Sequence, residues 1–147
     1  MTDTLSPDAL YAELHEATGG RLFTVTVLDR AADLARRVYT SHPETYPVSG
    51  TKPLSQGAWT DMVAEHGEVF VANTVAEFAT YFPDHALIES LGCESALNIP
   101  ISDGDVIGTV NILDHEHFFS ADVVERCTAA VDARKAELIL MMKHQKL

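Results

Sequence analysis

The chain has 147 residues, 46% of them apolar, and a formal charge of −12 from 22 acidic against 10 basic side chains, which suits one globular domain over residues 1–147. That acidity opposes binding to nucleic acid or to an anionic membrane surface, since both select clustered Lys and Arg. No window approaches the ~20 apolar residues of a spanning helix, and MTDTLSPDAL has no basic stretch followed by an apolar run, so a cytoplasmic protein is expected.

Ser6 and Pro7 read as the N-cap and first position of a helix with Leu10, Leu14 and Ala17 on one stripe, stopped by Gly19 and Gly20. LFTVTVL, Leu22 to Leu28, alternates as a strand, with Phe23, Val25 and Val27 on one face and Thr24 and Thr26 on the other. A second strand covers Leu34 to Tyr39. From Thr40 to Leu54, Pro43, Pro47, Gly50 and Pro53 predict a long loop. Trp59, Met62, Val63 and His66 then recur at helical spacing up to Gly67, and VFVA, Val69 to Ala72, is a short buried strand. Thr74 with Glu77 forms a capping box that opens a helical turn, and Pro83 and Asp84 restart a helix carrying Leu87, Ile88 and Leu91, ended by Gly92.

The dipeptide Asp103-Gly104 predicts a two-residue hairpin turn joining SALNIPIS to DVIGTVNILD. In that register Ile101 faces Val106, Ile99 faces Gly108 and Leu97 faces Val110 on a wholly apolar side. The opposite side pairs Pro100 with Ile107, Asn98 with Thr109, and Ala96 with Asn111. Buried amides need partners. Either Asn98 and Asn111 satisfy each other and nearby backbone, or a polar ligand completes them. After DHEH, Asp114 to His117, which reads as a solvated loop in preference to a metal site, Ser120 caps one long final helix with Val124, Cys127, Val131, Leu138 and Met142 on its stripe. Its run LILMM looks exposed.

Taken in order, GEVF with Asn73 before a helix, Leu91-Gly92, Ser95 before the strand that ends at Pro100 and Ile101, Ile107-Gly108, and Phe119, Ser120 and Asp122 opening the last helix resemble a GAF domain over almost the whole chain. The resemblance implies an α/β (α+β) fold. In it a central antiparallel sheet of five to six strands has the N- and C-terminal helices on one face, and short helices and loops form a pocket on the other. It also implies a sensory or regulatory module whose terminal helices build a homodimer interface, and whose ligand lies between the sheet and the segment Thr40 to Gly92.

Such domains serve several chemistries, and this sequence departs from three of them. The stand-alone GAF enzyme free methionine-R-sulfoxide reductase needs cysteines before the position of Gly67 and around Phe82 to His85, where this chain has none. The cysteine-beside-histidine of chromophore carriers is missing, as is the asparagine, lysine, phenylalanine and aspartate pattern of cyclic-nucleotide sites. Cys93 and Cys127 lack CxxC spacing and read as two reduced structural thiols. No catalytic residue, metal or cofactor is assigned.

What remains is a pocket for a small polar or anionic metabolite. Tyr39, Tyr46, Trp59, Phe78 and Phe82 are its candidate aromatic walls. His42, Thr51, Lys52 and Asn73 are candidates to orient polar atoms, together with Asn98, Thr109 and Asn111 from the hairpin. Lys52 is the expected anchor for a carboxylate or phosphate. Two other readings stay open: a protein-interaction module without ligand, and a thiol-dependent small-molecule reductase.

Overall fold

The computed structural model describes residues 6–48, 50–54 and 57–147, with the side chain of Lys52 outside the description. The first helix, α1 (Pro7–Thr18), begins where the Ser6 hydroxyl accepts the Ala9 amide and stops at Gly19, whose φ of 75° is costly for any side chain. Its buried stripe is Leu10, Tyr11, Leu14 and Thr18. Ala17, expected on that stripe, is exposed, because Thr18 turns inward and hands its hydroxyl proton to the Leu14 carbonyl at 2.7 Å.

Six antiparallel strands follow: β1 (Leu22–Asp29), β2 (Leu34–Thr40), β3 (Thr51–Pro53), β4 (Phe70–Ala72), β5 (Ser95–Asp103) and β6 (Asp105–Asp114). They form one sheet in the order β3-β2-β1-β6-β5-β4. The edge strand β3 lies inside the stretch expected to be loop throughout. Pro53 is tolerated there because an edge strand leaves one row of amides unpaired.

Two cores flank the sheet. On one face Phe23, Val25, Leu97, Ile99, Val110 and Ile112 pack under α1 and two C-terminal helices, α4 (Ala121–Asp132) and α5 (Lys135–Lys143). The expected single long helix is thus broken at Ala133 and Arg134. Arg134 turns its guanidinium to Glu13 on α1 (2.9 Å) and Glu137 (2.6 Å). The break lets Leu138 and Met142 stay buried while Leu140 is exposed, so the LILMM run is only partly surface. On the other face a π-helix (Thr60–Glu65), α2 (Val75–Ala79) and α3 (His85–Ser90) cover Leu22, Ala96 and Leu113. In the capping box of α2, Thr74 accepts the Glu77 amide as expected, but Glu77 reaches back to the Asn73 amide at 2.7 Å, one residue before the cap.

The hairpin register departs from the expected one. The turn closes on Gly104 alone, with Asp103 opposite Asp105 and Ser102 opposite Val106, and a bulge in β6 then sets Ile101 opposite Gly108, so that the two one-residue changes together move every pair beyond the bulge by two. Asn98 therefore faces Asn111, not Thr109, Pro100 faces Thr109, and Ala96 faces Leu113. An even shift keeps each side chain on its predicted side. Val106 and Ile107, at the bulge, are the exceptions: Val106 joins the core under the π-helix, and Ile107 packs toward the terminal helices.

Candidate functional site

Between the sheet and the covering loops lies a cavity of about 430 Å³. Its floor is made of polar side chains that alternate with core residues along three strands: Thr24 and Thr26 of β1, Asn111 of β6 and Asn98 of β5. These form one chain of hydrogen bonds. The Trp59 indole donates to Asn98 Oδ1 (2.8 Å) and Asn98 Nδ2 to Asn111 Oδ1 (2.9 Å). Asn111 Nδ2 then donates to the hydroxyl oxygens of Thr24 and Thr26, each at 3.0 Å. The two asparagines thus satisfy each other, as one of the two open readings had it. The chain ends on hydroxyls that accept a bond and keep a proton, and neither donates it among the described residues. Apolar walls come from Phe82, Leu87, Ile88 and Leu113.

The mouth is charged. Arg37, on β2, lays its guanidinium carbon 3.5 Å from the centre of the Tyr46 ring and donates from Nη1 to the Pro47 carbonyl at 2.6 Å. The Tyr46 hydroxyl donates to Asp84 Oδ2, and that carboxylate, with burial the larger cause, raises the tyrosine's pKa. Asp84 sits at the start of α3 but makes no cap hydrogen bond, its side chain being engaged by Tyr46. Arg37 Nη2 stands 4.0 Å from Asp84 Oδ2.

Of the residues expected at the site, Tyr46, Thr51, Trp59, Asn98 and Asn111 line the cavity, with Phe82. The Lys52 side chain lies outside the described residues. Tyr39 is a correction: it packs against Tyr11 and Phe23 on the opposite face, at ring distances of 5.4 and 6.1 Å. The cause is a bulge, since Val25 pairs with Tyr39 but Thr26 with Arg37, so skipping Val38 turns Tyr39 away from the face that Arg37 shares with Thr26. His42 stays in the loop after β2, its ring bonded to the Ser41 hydroxyl at 2.8 Å, outside the cavity lining. Asn73 clasps the backbone of Phe119, donating to its carbonyl and accepting its amide, both at 3.0 Å, which fixes the entry to α4. Thr109 is fully buried on β6, against which the π-helix packs, and its hydroxyl has no partner among the described residues. Phe78 is wholly buried behind Phe82.

Sequence reasoning missed Thr24, Thr26, Arg37 and Asp84. The alternation of LFTVTVL signalled the two threonines; nothing in the sequence reveals the bulge that parts Tyr39 from Arg37.

No family model and no curated protein sequence matches the chain. Solved structures do. The GAF domain of a two-component sensor histidine kinase from Bacillus halodurans superposes with a TM-score of 0.74 at 13% identity, over 96% of this chain and 100% of that one. The GAF domain/HD domain protein from Geobacter sulfurreducens also reaches 0.74, at 12% identity, over 99% of this chain and 100% of the other. This chain has the GAF-domain fold. A third similar GAF-type structure is the free methionine-R-sulfoxide reductase of Neisseria meningitidis with its substrate, at a TM-score of 0.68 and 18% identity over 94% of this chain and 78% of that one.

Within this GAF fold the two cysteines lie in separate cores, Cys93 on the cavity side of the sheet and Cys127 under the terminal helices. They cannot meet as a dithiol. Burial pushes the Cys93 thiol up to about 11, helped by the Asp114 carboxylate, and burial raises Cys127 as well. A thiolate nucleophile is thus suppressed at both positions. The native state holds the Cys93 proton longer than the unfolded chain does. The stability this contributes is complete below the ordinary thiol pKa of about 8.5 and is lost as pH rises toward the folded value. At about pH 8 a thiol-reactive disulfide reagent should label neither cysteine in the native protein and both in denaturant; prompt labelling of native Cys93 would contradict its burial.

DHEH forms a turn. Asp114 accepts the His115 amide at 2.7 Å, the His115 ring meets the Glu116 carbonyl at 2.8 Å, and His117 takes a φ of 61° while its amide bonds the Asn73 carbonyl. Among the described residues no helix is long and apolar enough to cross a membrane.

Proposed function

We propose that the chain is a sensory or regulatory GAF module of the cytoplasm, whose cavity binds a small polar metabolite and which works as a homodimer through its terminal helices. The observation that carries the reading is the cavity itself. About 430 Å³ of space has apolar walls and a floor of convergent side-chain amides and hydroxyls, the composition of a small-molecule site. Similar GAF domains occur in sensor histidine kinases and in a methyl-accepting chemotaxis protein, which supports a signalling role. The dimer reading is supported by α5, where Leu140 is 57% exposed between the partly buried Ile139 and Met141.

Native mass spectrometry of the freshly purified chain tests both parts. The expected spectrum is a species of two chains with additional mass in the range of a metabolite, converted by Leu140→Glu to one chain that still carries that mass. A bare monomer whose melting temperature does not respond to any member of a metabolite library would remove the reading.

A further inference from the structure

The Arg37 side chain is only 15% exposed, yet among the described residues its one close hydrogen bond runs from Nη1 to the Pro47 carbonyl, with the Tyr46 hydroxyl as a looser neighbour. One face is covered by the Tyr46 ring. Its Nε and Nη2 donors have no hydrogen-bond acceptor among the described residues, because Asp84 Oδ2, already receiving the Tyr46 hydroxyl, stays 4.0 Å away. A guanidinium has five N–H donors in a planar fork, and buried ones are normally met by a carboxylate in two parallel bonds. Here the fork faces a cavity that its own carboxylate does not fill.

Across the strand pair from Arg37 stands Thr26, whose hydroxyl, like that of Thr24, accepts from Asn111 and has a proton to give. Directly opposed residues on neighbouring strands lie about 5 Å apart at their Cβ atoms, so the guanidinium and the hydroxyl serve the same end of the cavity. Beyond them the surface is hydrocarbon: Phe82, Leu87 and Ile88.

We propose that the cavity recognises a monocarboxylate with an apolar body, the carboxylate taken by the Arg37 fork and the Thr26 hydroxyl, with Asp84 as the resident competitor that the ligand displaces. The proposal rests on the small-molecule reading and names the ligand's chemistry. A single negative charge fits, because a phosphate dianion would meet the Asp84 carboxylate in a chain of formal charge −12, and among the described lining residues Arg37 is the cation that would balance both. Planarity fits as well, since a carboxylate presents two oxygens at the spacing of the fork.

The test uses acid and amide pairs of the same shape, benzoate with benzamide and 3-methylbutanoate with 3-methylbutanamide, titrated into the isotope-labelled 147-residue chain and followed by amide and Arg Nε resonances. The acids should saturate shifts at Thr24, Thr26, Thr51 and the Arg37 side chain, and the amides should bind at least about tenfold more weakly. Arg37→Met should erase that preference. Asp84→Asn, which keeps an acceptor for Tyr46, should tighten the acids several-fold while leaving the amides unchanged. Should Arg37→Met not fold, the Asp84→Asn comparison and the acid-to-amide ratio still decide. Equal binding of acid and amide, or acids that bind Asp84→Asn no tighter, overturns the carboxylate proposal and leaves a binding pocket standing. No response at cavity residues to any of the four probes overturns both.

Discussion

Gly108→Ala is expected to cost about 3 kcal/mol, the upper end of ordinary overpacking, and to lower Tm by roughly 6–12 °C for a domain of this size. The glycine is there for a close approach, not for a positive φ: a methyl group at this position would lie 2.5 Å from the Thr26 carbonyl oxygen and 2.6 Å from the Met142 sulfur. The two neighbours differ in what they can yield. Met142 is a flexible side chain on α5, whereas the Thr26 carbonyl belongs to β1, which pairs with β6 along six residues of register. Moving that carbonyl disturbs the strand that carries the cavity's threonines. Thermal melts of Gly108→Ala and of Gly108→Ala with Met142→Ala separate the contributions. The double variant should recover nothing, since the sulfur was the part able to move and Met142→Ala empties a buried site of its own. A single variant within a degree of the parent would show that the sheet absorbs the methyl group.

Asn111→Ala is expected to cost about 2–3 kcal/mol, because it removes the middle of the polar chain and leaves Asn98 Nδ2 without its acceptor in a buried position. Asn98→Ala breaks the same chain one link earlier and removes the amide oxygen to which the Trp59 indole donates. The two losses should not add: once either amide is gone the other has lost its partner, so the double variant should fall short of the sum by at least about 0.5 kcal/mol. Denaturant titration followed by Trp59 fluorescence reads both the midpoint and the indole's surroundings. Additive costs would mean that the asparagines act separately and that the chain of bonds is geometric coincidence.

Much of the architecture could be read from residues alone because it rests on periods that bulges do not erase. The alternation in LFTVTVL, the Ser6, Thr74 and Ser120 caps and the two apolar runs around Asp103-Gly104 all stand where the sequence puts them. What failed to transfer was register. A one-residue turn and a bulge in β6 together moved the hairpin partners from Ile101 onward by two, and the bulge opposite Val25 and Thr26 turned Tyr39 off the cavity face that counting has it share with Arg37. A bulge adds a residue without changing composition, so period-two counting passes over it. The anchor for an anion expected of Lys52 has its proposed counterpart in Arg37, a residue that counting had placed in an ordinary strand. Asn73 shows the other limit. Its position before a helix was recognised, but a side chain that bonds a backbone distant in sequence, at Phe119, leaves no local trace.

The turn that presents Trp59 is wider than an α-helical one. The His66 amide reaches back five residues to the Asp61 carbonyl, at 3.0 Å, within the π-helical stretch Thr60–Glu65. Such a stretch is equivalent to an α-helix that has gained one residue, and each residue of an α-helix turns the chain by about 100°. Deleting one residue between Thr60 and Glu65 would let the segment relax into the commoner helix while swinging the indole by that angle relative to Val63 and Ala64, which anchor the other end in the core. The extra residue acts as an angular spacer: it lets one short helix bury its apolar side and still aim a donor at Asn98.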